Sequence, residues 1–413
     1  MNRTRRNFWP LDPRLTFLNH GSFGSCPMPV REFQREIQDR IECQPVQFFV
    51  RDLEGLLDAA REALAKFLGA SPDNLVFVPN ATAGINTVLR SLQFKPGDEL
   101  LVTNHEYNAC RNALDFVARR SRAKVVVAEI PFPIRSPRQA TDAVLEKISA
   151  RTRLVLLDHV TSQTGLVLPI AGIIARLNSL GIDTLIDGAH APGMIPLNLR
   201  TLAATYYTGN CHKWICAPKG AGFLHVHPDR QKLVRPLSIS HGANSKRSDR
   251  SRFLIEFGWT GTWDPSALLS VPKALKTIGS LLPGGWPALM RRNRQMALAA
   301  RRPICKALQI PSPCPDEMIG SLASFPLPDS TSVKVPASPL YSDPLQDRIR
   351  KRFNIEVPII PWPFPPKRLL RISAHLYNET EQYLALANGI QTLLRKDAGH
   401  REGATGIRKR QNH

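Results

Sequence analysis

Two residues able to do covalent and electrostatic chemistry follow short apolar runs in the middle of the chain. Leu185-Ile186 leads into Asp187-Gly188-Ala189-His190, and Tyr206-Tyr207-Thr208-Gly209-Asn210-Cys211-His212 leads into Lys213-Trp214, with Pro218-Lys219-Gly220-Ala221-Gly222 just beyond. Each run reads as a buried strand that delivers polar groups at its C-terminal edge, where open α/β sheets place their ligands. Taken singly, Asp187 reads as a loop or helix cap and Lys213 as a surface cation. Their order in the chain points instead to a site.

A lysine amine held in a dry pocket forms a Schiff base with an aldehyde, and a carboxylate facing a ring nitrogen keeps that nitrogen protonated, which makes the ring an electron sink. That is the chemistry of pyridoxal 5'-phosphate, with Lys213 and Asp187 in the two roles. Lys219 is the competing lysine, but its Pro-Lys-Gly turn suits structure better than a strand-end nucleophile.

In this arrangement the chain resembles the class V aminotransferase family of fold-type I pyridoxal-phosphate enzymes. Within that family it is most similar to the isopenicillin N epimerase-like branch, through Asn19-His20-Gly21-Ser22-Phe23-Gly24 and Thr208-Gly209-Asn210-Cys211-His212-Lys213-Trp214. The likeness runs from about residue 17 to about residue 394. It implies the PLP-dependent transferase fold, an α/β architecture in which a large domain carries a mainly parallel seven-stranded type of sheet and a smaller α+β domain follows. It also implies roles. Thr82 and Ala83 open a helix that cradles the cofactor phosphate, joined by His212 and Asn210; Tyr107, with His105 as its rival, stacks on the ring. His190 and Ser162 lie near the phenolic oxygen, and Arg371 grips the α-carboxylate of an amino-acid substrate. Asn19, Gly21 and Ser22 stand at the mouth of the substrate pocket. The loop Trp259-Thr260-Gly261-Thr262-Trp263-Asp264 crosses to a second copy, with Thr262 on the partner's phosphate, so the resemblance implies a homodimer with a shared site.

The residues themselves supply physical reasons for several of these roles. A helix N-terminus of small residues offers unpaired N–H groups to a phosphate, although threonine also serves as a plain cap. An arginine binds a carboxylate through two parallel hydrogen bonds, or a surface acid in the ordinary case.

Groups placed at strand ends require alternating strands and helices to hold them. Strands are expected at 75–78, 99–103, 124–129, 153–157 and 184–186, and helices at 29–48, 53–68, 140–149 and 170–180, which argues for parallel strands with right-handed crossovers. Pro283-Gly284-Gly285 marks a hinge, and a helix at 286–308, a strand at 322–325 and a helix at 341–353 precede the Pro-rich 358–366. The divisions read as an arm and pocket turn (1–28), a large domain (29–282), a small domain (283–396) and a basic disordered tail (397–413).

At 413 residues, 43% of them hydrophobic, the chain has the composition of a globular protein with a sizeable core. No apolar run is long enough to span a bilayer, and the start lacks the apolar core of a secretory signal, so the reading is cytoplasmic. Seven unclustered cysteines make no disulfide framework, and Cys211 and Cys216 lack a second ligand pair, so no metal site is expected. The formal charge of +21 is spread along the chain without an aromatic platform, which argues for a solvated surface rather than a specific nucleic-acid or membrane partner. A basic, nucleic-acid-associated, non-catalytic relative is the alternative from another class.

The reaction stays open at this level. Removal of an α-proton by Lys213 leads to epimerisation if a second acid, Tyr107 or His105, returns a proton to the other face. It leads to C–S cleavage if a sulfur leaves the β-carbon, and to transamination if the cofactor carbon is protonated. Likeness favours the epimerase, but fold and cofactor do not fix the reaction.

Overall fold

The computed structural model describes residues 8–330 and 343–410. Met1 to Asn7 of the basic arm, and Tyr341, where the helix 341–353 is expected to begin, lie outside them. A two-residue strand, β1 (Thr16–Phe17), leads into the large domain, whose strands are β2 (Leu75–Val78), β3 (Glu99–Thr103), β4 (Lys124–Ala128), β5 (Thr152–Asp158), β6 (Asp183–Gly188), β7 (Tyr206–Asn210) and β8 (Gly222–Val226). They form one seven-stranded sheet in the order β2-β8-β7-β6-β5-β3-β4. β4, β3, β5, β6 and β7 run parallel, whereas β8 pairs antiparallel with both β7 and β2.

The sequence makes this sheet because its strands are apolar on both sides. Leu100, Val102, Leu154, Leu156, Leu185 and Tyr206 enter one buried layer, while Leu101, Val155, Leu157, Ile186 and Tyr207 enter the other. Successive residues point to opposite faces, so a near-continuous apolar run is what a strand covered by helices on both faces requires. Buried polar residues then stand where strands leave the sheet, at Asp158, Asp187 and Asn210.

The small domain carries β9 (Leu322–Leu327), β10 (Ile355–Glu356), β11 (Ile359–Pro361) and β12 (Arg368–Ser373). Its antiparallel sheet has the order β11-β12-β9, and β10 pairs with β1, tying the N-terminal arm to this domain. The helices Gly285–Leu308 and Thr380–Arg410 contribute Ala297, Ala300, Ile304, Leu386 and Ile390 to its core.

Three expectations change in detail. The helix expected over 29–48 ends at Cys43, and Pro45 begins a short turn that passes through a π-turn at Phe48–Asp52 into the helix Leu53–Leu68. Pro45 has no N–H to continue the Met28–Cys43 ladder. The helix expected over 140–149 starts earlier, at Pro137, which fits a first helical turn. The tail expected to be disordered from 397 is instead a continuation of the last helix to Arg410. Asp397 there accepts both guanidinium nitrogens of Arg348, and a helix already packed extends by one hydrogen bond per residue.

One close approach fixes the helix that faces the site. Gly84, in the helix Ala81–Ser91, lies so near β7 that an added Cβ would stand 2.1 Å from Thr208 Oγ1 and 2.7 Å from Thr208 Cβ. We therefore expect Gly84→Ala to lower stability by about 1–3 kcal/mol through overpacking. Gly172→Ala, in an exposed helical position with nothing within 4 Å, should instead raise stability by up to about 1 kcal/mol. Thermal midpoints of the two variants, measured side by side, must move in opposite directions.

Candidate active site

The C-terminal edges of β3, β5, β6 and β7 converge with the N-terminal turn and the small domain. Asp187 ends β6 almost wholly buried; its Oδ1 accepts the Ala189 N–H at 2.8 Å and its Oδ2 accepts the Cys110 S–H at 3.2 Å. Two further carboxyls, neither singled out by the sequence, are buried with it. Glu106 lies just past β3, its Oε1 accepting the Tyr107 N–H at 3.2 Å, and its carboxyl, the Asp187 carboxyl and the Cys110 thiol sit close together; Asp158 ends β5 beside Asp187 in the sheet. Among the described residues, Glu106 Oε2 and Asp158 Oδ2 have no hydrogen-bond partner. Burial first, then mutual repulsion, pushes Glu106 and Asp158 well above the usual carboxyl range. Asp187 is also raised by burial, but the Ala189 N–H, the Cys110 thiol and the nearby Lys213 charge pull it back.

Lys213 stands beyond β7 with its amine 3.0 Å from His190 Nε2. Burial lowers that amine to about 8; Asp187 acts against the shift and Arg371 with it. His190 Nδ1 accepts the Trp214 Nε1–H at 3.5 Å, which places the imidazole proton on Nε2, pointing at the lysine. His190 itself is held well below its ordinary range, by burial first and then by Lys213 and Arg371. An imidazole N–H directed at the lysine favours the neutral amine, the form that acts as a nucleophile or base. Lys219, the competing lysine, points elsewhere and donates to Gly24 O at 3.2 Å.

The helix N-terminus is more occupied than expected. Asn210 Oδ1 accepts the Ala81 N–H at 2.8 Å, and Asn80 Oδ1 accepts the Ala83 N–H at 2.9 Å. Ala83, expected to offer its N–H to a phosphate, is therefore already capped, and Asn210 serves the helix rather than standing open. Among the described residues no hydrogen bond is made by the Thr82 N–H or its hydroxyl, so Thr82 is the group left to receive an anion. His212 Nδ1 lies 3.2 Å from Ala221 O, with Nε2 free of that contact. Thr262 is exposed, on the wall of a cavity of about 930 Å³ shared with Lys219, Gly220 and Arg250.

Arg371, on β12, is buried and reaches across the domain boundary. It donates to Ser162 O, to Ser162 Oγ at 3.5 Å and to Ser22 Oγ at 2.9 Å, and Ser22 in turn donates to Asn19 Oδ1 at 2.6 Å. No carboxylate pairs with it among the described residues, and its Nε is unpartnered. Ser162, expected beside the phenolic oxygen, stands against the guanidinium, since a buried cation recruits the oxygens it can reach. Gly21 N donates to Ser373 Oγ at 2.9 Å, which pins the pocket turn to the same strand.

Tyr107 caps the helix Asn108–Ser121 with its side chain partly exposed, close enough to Arg371 to interact electrostatically. His105 has a different fate. It is fully buried, with Nδ1 2.7 Å from Thr164 Oγ1 and Nε2 2.9 Å from Ile130 O, and its ring rests against Trp362. Both its nitrogens are committed away from the Asp187–Lys213 pair.

The Lys213 amine is within electrostatic reach of both the buried Asp187 carboxyl and the Arg371 guanidinium, a set of groups that fits pyridoxal phosphate and an amino acid. The sheet order and this site define a fold-type I pyridoxal-phosphate enzyme. Residues 48–277 match the family model for aminotransferase class V, and the chain belongs to that family. It is 34% identical to the isopenicillin N epimerase of Amycolatopsis lactamdurans over 93% of this chain and 96% of that one. It is 30% identical to a probable chloroplastic L-cysteine desulfhydrase of Arabidopsis thaliana, over 93% and 84%. A solved cystine C–S lyase in complex with cysteine persulfide superimposes with a TM-score of 0.77 at 22% identity, covering 92% of this chain and 98% of that chain, a likeness of fold alone. The cofactor of the family is pyridoxal phosphate. No helix among the described residues is long and apolar enough to cross a membrane.

The depressed amine gives a direct test. With an ordinary lysine near 10.4 and Lys213 near 8, the Lys213 amine is about half neutral at pH 8, where a solvated lysine is neutral at well under a hundredth. Reductive labelling of the cofactor-free chain with a small aldehyde should therefore mark Lys213 first and rise with a midpoint near pH 8, read by peptide mapping. A midpoint near 10 would contradict the environment described.

Proposed function

We propose that this chain acts at the α-carbon of an amino acid, in the manner of an epimerase. Bound pyridoxal phosphate supplies an electron sink for the α-carbon. Lys213 holds the cofactor aldehyde and, once displaced, removes and holds the α-proton; Asp187 keeps a charge against the ring nitrogen. Arg371, steadied by Ser22 and Ser162, takes the α-carboxylate in a two-pronged grip. Thr82 and His212 receive the phosphate, and Thr262 reaches the phosphate of a second copy in a homodimer.

The observation that carries the epimerase reading is the 34% identity to the isopenicillin N epimerase of Amycolatopsis lactamdurans. The strand bearing Asp187 lies between β7, which leads to Lys213, and β5 and β3, the latter leading to Tyr107. Tyr107, within electrostatic reach of Arg371, is a second proton-bearing side chain besides Lys213. Tyr107 is the group proposed to return the proton.

C–S cleavage is the second reading, favoured by the desulfhydrase among the relatives. Incubation with D- and L-amino acids and cysteine S-conjugates in heavy water separates the two. α-Deuteration with loss of chirality supports epimerisation, pyruvate with a released thiol supports lysis, and a 2-oxo acid with aminated cofactor supports transamination. In the same assay Arg371→Ala should lower kcat/KM by about 10²-fold or more through loss of a buried charged pair, whereas Tyr107→Phe should slow racemisation more than α-deuterium exchange. Equal slowing of both would remove Tyr107 from the role.

A further inference from the structure

His20 lies in the pocket turn between Asn19 and Gly21, yet its side chain turns away from the pocket and into the protein. Its Nε2 is 3.0 Å from the carbonyl oxygen of Lys213, and its Nδ1 is 2.7 Å from the Tyr377 hydroxyl. A carbonyl only accepts, so the imidazole proton sits on Nε2, and Nδ1 accepts from the Tyr377 O–H. The same Lys213 carbonyl also accepts the Cys216 N–H at 3.1 Å, at a turn where Cys216 adopts φ +62, a left-handed conformation uncommon outside glycine. Two donors therefore fix the peptide group that carries the lysine, in a loop whose backbone is strained.

The surroundings leave His20 no other arrangement. Its ring stacks on His375 at 4.2 Å and 20°, and packs on Trp214 at 5.0 Å; Trp9 closes on His375 and Tyr377 from the N-terminal arm. Gly24 lies against the same backbone, since a Cβ there would stand 2.2 Å from His212 O and 3.1 Å from Lys213 Cα. The Cys216 thiol is 3.8 Å from His20 Nε2 and 3.6 Å from His375 Nε2. These three could be thought a metal site, but near-parallel stacked rings cannot aim both in-plane lone pairs at one ion, and the His20 Nε2 proton is already committed. The cluster is a tether.

Resting on the assignment of Lys213 as the cofactor lysine, we infer that His20 is a positioning residue for that lysine. A relay from Tyr377 O–H to His20 Nδ1, and from His20 Nε2–H to the Lys213 carbonyl, lets the small domain and the N-terminal arm set where the amine points. Closure of the small domain over the substrate carboxylate at Arg371 would then be felt at Lys213 through Tyr377, which lies just beyond Arg371 on the same segment.

The test uses His20→Gln, His20→Asn and His20→Phe in the full-length holoprotein, because a glutamine amide nitrogen reaches the place of Nε2 whereas an asparagine amide reaches only the place of Nδ1. The readouts are the dissociation rate of the cofactor and the pH midpoint of its visible absorbance band, neither of which is activity. Loss of one buried hydrogen bond predicts that Asn and Phe release the cofactor on the order of 5- to 50-fold faster and shift the midpoint, with Gln within about threefold of the wild type. A purely packing role would rank the variants by fit and leave Gln no better than Asn; that result, or unchanged behaviour in all three, overturns the inference. Tyr377→Phe keeps every ring in place and removes one hydroxyl, so it should move both readouts in the same direction by a smaller factor, and no movement there also counts against the relay. A wild-type protein that shows no visible band, or takes no borohydride label at Lys213, overturns the underlying assignment as well, which a failure confined to the variants does not.

Discussion

The site depends on one constraint: several ionisable groups share a buried volume that tolerates few charges. Glu106, Asp158 and Asp187 are buried together around Cys110, with Lys213 and Arg371 on the other side. An unpaired buried ion costs several kcal/mol, and two ionised carboxylates a few ångströms apart cannot both persist. Glu106 and Asp158 are driven furthest toward the neutral acid, whereas Asp187 has the Ala189 N–H and the Cys110 thiol to support its charge. Asp187, the carboxyl proposed to face a ring nitrogen, is therefore the one of the three whose ionised form is opposed least. The neighbouring acids are pushed toward the neutral form rather than standing as competing anions.

The fold is the means by which that arrangement is held. Parallel strands β3, β5, β6 and β7 lie side by side, so residues just past their C-terminal ends fall in one row, and the apolar layers above and below exclude water from their lower halves. Two close approaches bring the remaining parts in. Gly84 lets a helix N-terminus settle against β7, and Gly24 lets the N-terminal turn touch the backbone of Lys213. In both places a methyl group would have to occupy space already taken by protein atoms. Arg371 arrives from the small domain, with two serines supplying the oxygens that a substrate carboxylate would supplement.

The strand ends were legible in the sequence because a parallel sheet writes its edges plainly: an apolar run stops and a polar residue comes next. Asp187 and Lys213 could be found that way, and the expected strand over 99–103 coincides with β3. Glu106 and Asp158 obey the same rule, but a carboxyl after a strand looks like an ordinary loop acid until burial is known. His20 and Tyr377 were beyond reach for another reason. They are joined across nearly the whole chain, and local periodicity carries no record of such a pairing. The capping of Ala81 and Ala83 by Asn210 and Asn80 was hidden likewise, since asparagine beside a helix start can serve either the helix or a ligand. The last helix outran the expected tail because its residues pack and pair up to Asp397, a tertiary contact that composition alone does not disclose.

The relatives, among them an epimerase and a desulfhydrase, share a family but not a reaction, so what distinguishes them must lie outside the parts every member needs. A lysine, a ring-facing carboxylate and a carboxylate clamp bring any of these reactions to the same point. Beyond that point the outcome is decided by the groups that can reach the α-carbon or its substituents from the side away from Lys213. In this chain two residues on the β3 edge compete for that place, and they differ in where their side chains stand. Both His105 nitrogens are within hydrogen-bond distance of Thr164 and Ile130 O, and burial holds the ring's basicity down to about 4, so it can neither turn toward the pocket nor carry a proton near neutrality without breaking those bonds. Tyr107 keeps its side chain at the pocket edge beside Arg371, where a substrate's carboxylate would bring the α-carbon near it. The proposed inversion therefore rests on a phenol rather than an imidazole, with the phenolic O–H as the proton to be returned.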